Sequence, residues 1–346
     1  MSENGLLKKW LPVAIFPALS ASAYYFLVGH LVKSGAGEMI SGQCPPHSGP
    51  YSFQYTGFAS VDTLLCILVV FFHSSFGPKD LPFIADFAAS WAAVVAFPLV
   101  EAAREGRPRV LAFPALVGLL YQTQGAGIVL PLYWVAVILS GQASVRLPRA
   151  RAKITQAYAE ATLFAFFIGF VVLSALMLTL ADPAVTALWQ PFPLWMWLAQ
   201  RAHLLVRRPA AHTQSGYATV QALYAFTFLL SAISHFAAVW PALGDYDTLK
   251  YYYVPTVAVP APSVTTLASA AHVFLLWDGL FAFGSGLLLT LWFAENFTQL
   301  LTIVAWIAVS TPVVGSGAAM SGILMWRERR LNGDEDEGTS DGKSNQ

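Results

Sequence analysis

Charged side chains are scarce in this chain, and their scarcity decides its structural class. Its 346 residues include 19 Lys or Arg and 19 Asp or Glu, so that 11% are charged, whereas ordinary soluble domains carry about 25%. Thirteen of the charges lie before Trp10 or after Trp326, which leaves the rest of the chain still poorer. A soluble globule could not cover its surface with so few charges. The composition therefore predicts an all-α, polytopic transmembrane helix bundle.

Two further absences exclude other classes of protein. The formal net charge is zero and no basic stripe runs along the chain, so nucleic-acid binding is excluded as a main role. Only two cysteines are present, Cys44 in a polar loop and Cys66 in an apolar run, and we expect neither a disulfide nor a zinc framework from them. No pair of histidines has metal-ligand spacing. We therefore expect no metal and no cofactor.

Nine apolar runs reach or approach the roughly 20 residues that a spanning helix needs. We predict eight or nine spans, because the run 188–206 contains two prolines and several polar residues and could instead be interfacial or re-entrant. The run 111–139 contains Gly125, Gly127 and Pro131, and we expect it to tilt or kink. The nine runs are 10–32, 53–76, 83–103, 111–139, 158–181, 188–206, 217–243, 267–292 and 298–326.

These runs leave no room for a second folded domain. We predict a single multi-span membrane domain over residues 1–331 and a disordered polar tail over residues 332–346. The positive-inside rule gives no consistent orientation. The basic segment 146–153 agrees with a cytosolic N-terminus, but the segments 104–109 and 327–330 fall on the other side if all nine runs span.

Five carboxylates inside the spans or at their ends are the main candidates for chemistry. They are Asp62, Glu101, Glu160, Asp278 and Glu295. Ionisable groups at membrane depth are functional candidates by default, and burial without a cation favours a neutral acid, which can donate a proton. We predict Asp62 and Asp278 as catalytic residues because they lie deepest in their runs. Glu101 and Glu295 are secondary candidates, since residues near span ends can also simply reach water.

Aromatic rings at helical spacing accompany the two deeper acids. Seven or eleven residues bring a helix back to nearly the same direction, and three or four residues stay on one side of it. The rings that share a face with an acid are Tyr55 and Phe58 with Asp62, and Phe274 and Phe281 with Asp278. We predict that these four rings bind substrate, although aromatic residues at this spacing are also ordinary packing.

Three other polar residues in the runs could contribute to a site. His73 lies on the same face as Asp62 and is a further secondary catalytic candidate, with a local hydrogen bond as the alternative. Gln122 and Tyr133 are eleven residues apart and would share a helix face. We predict that both bind an oxygenated ligand, and interhelical hydrogen bonding is the equal alternative.

The segment from Thr56 to Phe72, Thr-Gly-Phe-Ala-Ser-Val-Asp-Thr-Leu-Leu-Cys-Ile-Leu-Val-Val-Phe-Phe, resembles the second helix of a fungal membrane family. That family comprises the integral-membrane terpene cyclases of meroterpenoid and indole-diterpene clusters, of the ascofuranone- and macrophorin-cyclase type. The chain length, the number of runs and the Trp277-Asp278 pair are also similar. Asp62 is the one acid inside the matching segment.

The resemblance implies an isomerase- or lyase-type terpene cyclase of secondary-metabolite biosynthesis. Its substrate would be a hydrophobic prenylated molecule, often an epoxide, which cyclises without loss of diphosphate. The absence of an Asp-Asp-x-x-Asp sequence agrees with this. A buried acid would protonate the epoxide or alkene, and aromatic faces would stabilise the carbocation. We therefore expect a multi-pass protein in the bilayer of the endoplasmic reticulum.

Two other functions fit the same features. Intramembrane acids and helices interrupted by Gly or Pro also suit a proton-coupled or lipid-like small-molecule transporter. A non-catalytic membrane scaffold could hold its acids by interhelical hydrogen bonds. Conversion of a prenylated epoxide would indicate the cyclase, whereas proton-coupled uptake into vesicles would indicate the transporter.

Overall fold

The computed structural model describes residues 3–333 and, from Trp10 onward, their side chains. This part of the chain is helical, apart from loops, short 3₁₀ turns and one isolated bridge between Thr155 and Ser215, which confirms the all-α prediction. The helices are α1 (Glu3–Lys33), α2 (Ala36–Ser41), α3 (Ala59–His73), α4 (Leu81–Ala103), α5 (Pro114–Gln124), α6 (Ala126–Leu139), α7 (Arg149–Ala152), α8 (Gln156–Phe166), a π-helical segment (Phe167–Val172), α9 (Leu173–Leu180), α10 (Pro183–Trp189), α11 (Phe192–Val206), α12 (Tyr217–Val239), α13 (Tyr246–Tyr253), α14 (Leu267–Thr290), α15 (Phe297–Val314) and α16 (Ser316–Asn332).

Six helices within residues 3–333 are long and apolar enough to cross a membrane, so the predicted eight or nine spans are not confirmed. The six are Trp10–Lys33, Leu81–Ala103, Gln156–Leu180, Tyr217–Ala242, Leu267–Phe293 and Phe297–Val314. Helices α3 and α6 are apolar but shorter. Of the predicted tail, only Asn332 and Gly333 belong to the described residues, and Asn332 ends α16. Six helices of this length and composition indicate a membrane protein.

Two of the predicted runs are broken at a glycine instead of forming one long helix. The run 111–139 is divided into α5 and α6 at Gly125, whose φ is 93°, and the run 298–326 is divided into α15 and α16 at Gly315, whose φ is 87°. Glycine adopts positive φ readily because it has no Cβ. Each break lets the following helix start at a new angle, and α6 begins beside Asp278, near the middle of the Leu267–Phe293 span.

The predicted run 53–76 is helical only in α3, and a disulfide ties the preceding loop to it. Cys44 and Cys66 are bonded, with their Cα atoms 5.7 Å apart, so the expectation that the two cysteines form no disulfide is wrong. The segment after α2 folds back over α3, and both cysteines are buried there among apolar side chains that include Ile40 and Val70. The number of cysteines could not show that Cys44 and Cys66 lie side by side, because their distance depends on how the loop folds.

One end of the bundle collects the basic loops. Arg104 donates to the carbonyl of Ala152, and Arg327 donates to the carbonyl of Gln142 at 2.7 Å. Arg146 pairs with Glu295, and Arg207 pairs with Glu160. Because α6 and α16 both end here after their glycine breaks, the basic segments 104–109 and 327–330 lie at the same end as the segment 146–153. The conflict over orientation therefore came from counting every run as a span.

Four charged side chains at this end form a buried ion cluster. Glu101 lies 2.8 Å from nitrogen atoms of both Arg104 and Arg327, and Glu328 also pairs with Arg104. All four residues are at most 1% exposed. Glu101 therefore does not reach water at a span end, as its position in the sequence suggested, and the cluster instead joins α4 to α16.

Candidate functional site

An aromatic-walled cavity of about 280 Å³ lies between α1, α3, α4, α5 and α14, and is closed by α9, α10 and α11. We call it the inner cavity. Nine aromatic side chains line it, and they come from seven separate elements: Phe71, Phe72, Phe87, Trp91, Tyr121, Phe170, Trp189, Phe192 and Phe274. The predicted ring Phe274 is one of them and meets Phe71 edge to face, with the ring centroids 5.0 Å apart.

Asp278 is the one charged side chain among the described residues that line the inner cavity. Its other polar lining comprises Tyr121, Gln122, Thr123, Gln124 and Ser174. Asp278 is 6% exposed, and no Lys, Arg or His side chain within residues 10–333 lines the same space. The cavity thus combines one acid with a wall of rings and offers that acid no cation.

The start of α6 holds the Asp278 carboxyl group in place. The backbone N–H of Gly127 donates to Oδ1 at 2.8 Å, and the N–H of Ala126 is directed at the same group. Glycine permits the close approach, since a Cβ on Gly127 would lie 2.8 Å from Cβ of Phe281. The N-terminus of a helix carries a partial positive charge of about half a unit. The helix break at Gly125 therefore aims two N–H groups at the acid.

Asp62, the other predicted catalytic acid, is placed differently. It lies in the first turn of α3, and its carboxyl accepts hydrogen bonds from the N–H and hydroxyl of Thr56, both at 2.7 Å, and from the N–H of Gly57 at 3.1 Å. Asp62 is not among the residues that line the inner cavity. These contacts fix the loop that leads into α3.

A larger cleft of about 910 Å³ adjoins the inner cavity, and we call it the outer cleft. Leu68, Gln122 and Thr123 line both spaces, so these three residues form the junction between them. The predicted residue Tyr55 lines the outer cleft, with its hydroxyl donated to the carbonyl of Tyr51 at 2.9 Å. The prediction that Gln122 contacts a ligand is therefore compatible with its position at the junction.

The spacing argument for Tyr55 and Phe58 does not hold, because both residues precede the start of α3 at Ala59. Phe58 is 72% exposed and lines neither space. Gln122 and Tyr133 likewise share no helix face, since the break at Gly125 separates them. Tyr133 is buried away from the inner cavity, where its hydroxyl has no partner among the described residues.

The other predicted residues are engaged in packing, hydrogen bonds or ion pairs away from the inner cavity. His73 lies 2.9 Å from the hydroxyl of Thr186, which matches the alternative of a local hydrogen bond. Phe281 packs against Trp277 and Gly127, outside the inner cavity. Glu295 forms ion pairs with Arg146 and Arg330 at the basic end.

A buried acid that lies inside one of the predicted apolar runs was missed in the sequence analysis. Asp86 in α4 is 5% exposed, lies 2.9 Å from Nδ1 of His235 and accepts a hydrogen bond from the hydroxyl of Tyr253 at 2.8 Å. An acid inside the apolar run 83–103 was the signal that could have identified it. Asp86 lines neither the inner cavity nor the outer cleft.

No group of three or more His, Cys, Asp or Glu within residues 3–333 is arranged to hold a metal ion. A carboxylate cluster is what Mg²⁺ with a diphosphate requires. Asp278 is positioned so that it could exchange a proton with a ligand in the inner cavity, and the rings would lie beside any positive charge that develops there.

A family model described as the CtvD domain matches residues 12–331. The chain is similar to terpene cyclase ascI of Acremonium egyptiacum, 26% identical over 248 residues, which are 67% of this chain and 57% of that protein. It is also similar to terpene cyclase atmA of Aspergillus flavus, 22% identical over 350 residues, covering 86% of this chain and 92% of that protein. No solved structure matches.

The match to ascI spans little more than half of that relative's length. Both relatives are fungal proteins named terpene cyclases. The resemblance to fungal terpene cyclases that residues 56–72 suggested is therefore confirmed.

Proposed function

Because the chain belongs to the CtvD domain family, we propose that it is a membrane terpene cyclase that starts its reaction by protonating an epoxide or alkene of a prenylated substrate. The observation that carries the proposal is the inner cavity, in which one acid faces nine aromatic rings and, among the described residues, no cationic side chain. The names of both relatives support a cyclase and give no support to the transporter alternative.

Asp278 is the proton donor in this mechanism. An apolar cavity without a cation solvates a charge poorly and so favours the protonated carboxyl group. The proton passes from Asp278 to the epoxide oxygen while the bond from that oxygen to the more substituted carbon breaks. Negative charge then develops on the carboxyl group, where the N–H groups of Gly127 and Ala126 already point. Such preorganised donors stabilise the transition state, because they need no rearrangement as charge appears.

The aromatic wall acts on the other product of this step, the carbocation. Each ring face attracts a desolvated cation by about 2 kcal/mol. An alkene of the same substrate attacks the cationic carbon and forms the new carbon–carbon bond, and a C–H proton is finally lost to a base. The net reaction is an isomerisation, since the proton supplied at the start is balanced by the one removed at the end.

The linings of both spaces argue against a diphosphate as the reacting group. Among the described residues neither the inner cavity nor the outer cleft is lined by Lys or Arg, and each is lined by a single carboxylate, Asp278 in the first and Asp182 in the second. Phosphate recognition ordinarily uses Arg, Lys or a carboxylate-bound Mg²⁺. The substrate that fits is therefore uncharged and largely apolar.

The proposal predicts a product of unchanged mass. Membranes containing the protein, supplied with a prenylated epoxide and an excess of EDTA over divalent metal ions, should form a cyclic isomer that mass spectrometry and NMR distinguish from the substrate. Membranes from the empty host are the control. A diol heavier by one water would indicate hydrolysis instead of cyclisation. Activity that EDTA abolishes and Mg²⁺ restores would contradict proton-initiated chemistry.

We further propose that the basic end of the bundle faces the cytosol and that the end with the disulfide faces the lumen of the endoplasmic reticulum. Lys and Arg are enriched in cytosolic loops, and the basic loops are joined by contacts at one end. Disulfides form in oxidising compartments, and Cys44–Cys66 lies at the end where α1 and α2 meet the loop before α14. The two arguments are independent and agree.

Labelling of single cysteines tests this orientation. Ala150 lies in the basic loops and Ala258 in the loop before α14, and both are exposed. In sealed microsomes a membrane-impermeant maleimide should label Ala150→Cys directly but Ala258→Cys only after detergent is added. The parent protein is the control, because its two cysteines are disulfide-bonded. Direct labelling of Ala258→Cys with protection of Ala150→Cys would reverse the orientation.

A further inference from the structure

Gln122 stands at the junction of the inner cavity and the outer cleft with its amide group fixed. Its Nε2 donates to the backbone carbonyl of Gln190 at 3.1 Å and faces Oε1 of the same residue at 3.4 Å. Gln190 directly follows α10 and is only 3% exposed, so its two oxygen atoms hold the Gln122 amide in one position. Among residues 10–333 no side chain or backbone group donates to Oε1 of Gln122, which leaves that oxygen as a fixed acceptor at the junction.

The outer cleft has the properties of a site for an uncharged group. Its one charged lining residue within residues 10–333 is Asp182, whose Oδ1 is occupied by the N–H groups of Ala184 and Val185 at the start of α10. Apolar side chains at its rim, among them Leu64 and Leu188, are 41% and 50% exposed. The cleft is about three times the volume of the inner cavity. It can therefore hold a bulky, neutral head group while an apolar tail passes the junction.

We propose that the outer cleft binds the head group of the substrate and that Gln122 selects a head that carries a hydroxyl group, by accepting its O–H at Oε1. This proposal rests on the proposed function, which places the prenyl tail beside Asp278. Gln190 is a positioning residue, because its backbone and side-chain oxygens hold the Gln122 amide with the acceptor free. A head without an O–H leaves that acceptor unpaired at the junction, and an unpaired buried polar group is unfavourable.

The experiment uses two unreactive ligands, so that it does not depend on turnover. Both carry a saturated hexahydrofarnesyl chain, which has neither an epoxide nor an alkene to protonate, one on a hydroquinone head and the other on its dimethyl ether. Affinities are measured with the full-length protein in nanodiscs by quenching of tryptophan fluorescence. The parent protein should bind the hydroquinone about tenfold more tightly, the effect of one neutral hydrogen bond. In Gln122→Leu this preference should disappear, and in Gln190→Leu it should be reduced.

Gln200→Leu is the matched control, because Gln200 lies in α11, donates to Thr162 at 3.1 Å and lines neither the inner cavity nor the outer cleft. It should keep the full preference. Ala184→Trp narrows the outer cleft from an exposed position and should weaken binding of both ligands, which tests the site even if Gln122→Leu does not fold. Equal affinity of the parent protein for both ligands, or an unchanged preference in Gln122→Leu, would overturn the proposal.

The outcomes separate this inference from the proposed function. Loss of the hydroxyl preference in Gln122→Leu alongside an absence of any cyclised product would support the head-group site and contradict the cyclase. Cyclisation of a prenylated epoxide by a protein that binds both ligands equally would support the cyclase and contradict the head-group site.

Discussion

Replacing Asp278 by Asn should lower the rate of cyclisation by about 10²–10⁴-fold, the usual contribution of general-acid catalysis. Asparagine keeps the size of the side chain, and its carbonyl oxygen can still accept the hydrogen bond from Gly127, so the start of α6 stays capped. What the change removes is the transferable proton. The measurement is product formed per unit of membrane-inserted protein, with insertion checked by detergent extraction and size-exclusion chromatography.

Asp62→Asn is the most informative companion variant, since Asp62 is the other acid that the sequence predicts as catalytic and the one inside the segment that resembles the family. Its carboxyl group contacts Thr56 and Gly57 and not the inner cavity, so we expect a smaller loss of activity together with lower stability. Glu160→Gln, which weakens an ion pair with Arg207 at the basic end, should change turnover little. If Asp62→Asn were inactive and Asp278→Asn normally active, the proton donor would be Asp62 at the start of α3 and not Asp278.

Removing one charge from the buried ion cluster should destabilise the protein by about 3–5 kcal/mol, because the remaining charges are left buried and uncompensated. Glu101→Gln is the clearest case, as Glu101 is 0% exposed and contacts both Arg104 and Arg327. The free energy of unfolding, measured by denaturant titration in mixed micelles, should fall by that amount. The inner cavity is remote from this end, so folded Glu101→Gln protein should retain its turnover.

Lys153→Met provides the control at the same end of the bundle. Lys153 pairs with Glu105 at 3.1 Å, but both side chains are about 40% exposed, and such pairs contribute at most about 1 kcal/mol. Its unfolding free energy should therefore stay close to that of the parent protein. A loss in Glu101→Gln no larger than the loss in Lys153→Met would mean that water reaches the cluster.

Several features of this protein followed from its sequence because they are local or compositional. The scarcity of charge predicted a helical membrane protein without reference to any contact, since the solvent alone imposes that requirement. The string that contains Asp62 indicated the family. Asp278 was found because a carboxyl group deep in an apolar run is anomalous wherever the run folds.

The number of spans could not be predicted in the same way. Hydropathy is continuous across Gly125 and Gly315, but both glycines adopt positive φ and end a helix there. Nothing local distinguishes such a glycine from one that packs against a neighbouring helix, as the Gly127 contact with Phe281 shows. The choice depends on the partner that the new helix end meets, which for α6 is Asp278.

The site itself was decided only by tertiary structure. Asp62 and Asp278 carry the same signal in the sequence, yet one holds the loop before α3 and the other faces the inner cavity, because loop closure and helix packing are set by distant residues. The nine rings of the cavity wall come from seven elements, and no spacing within one helix could select them. The sequence by itself determined that the chain belongs in a lipid bilayer and which of its acids are unusual there. Packing between helices decided which acid lines the inner cavity, because burial and hydrogen-bond partners arise from contacts between remote parts of the chain.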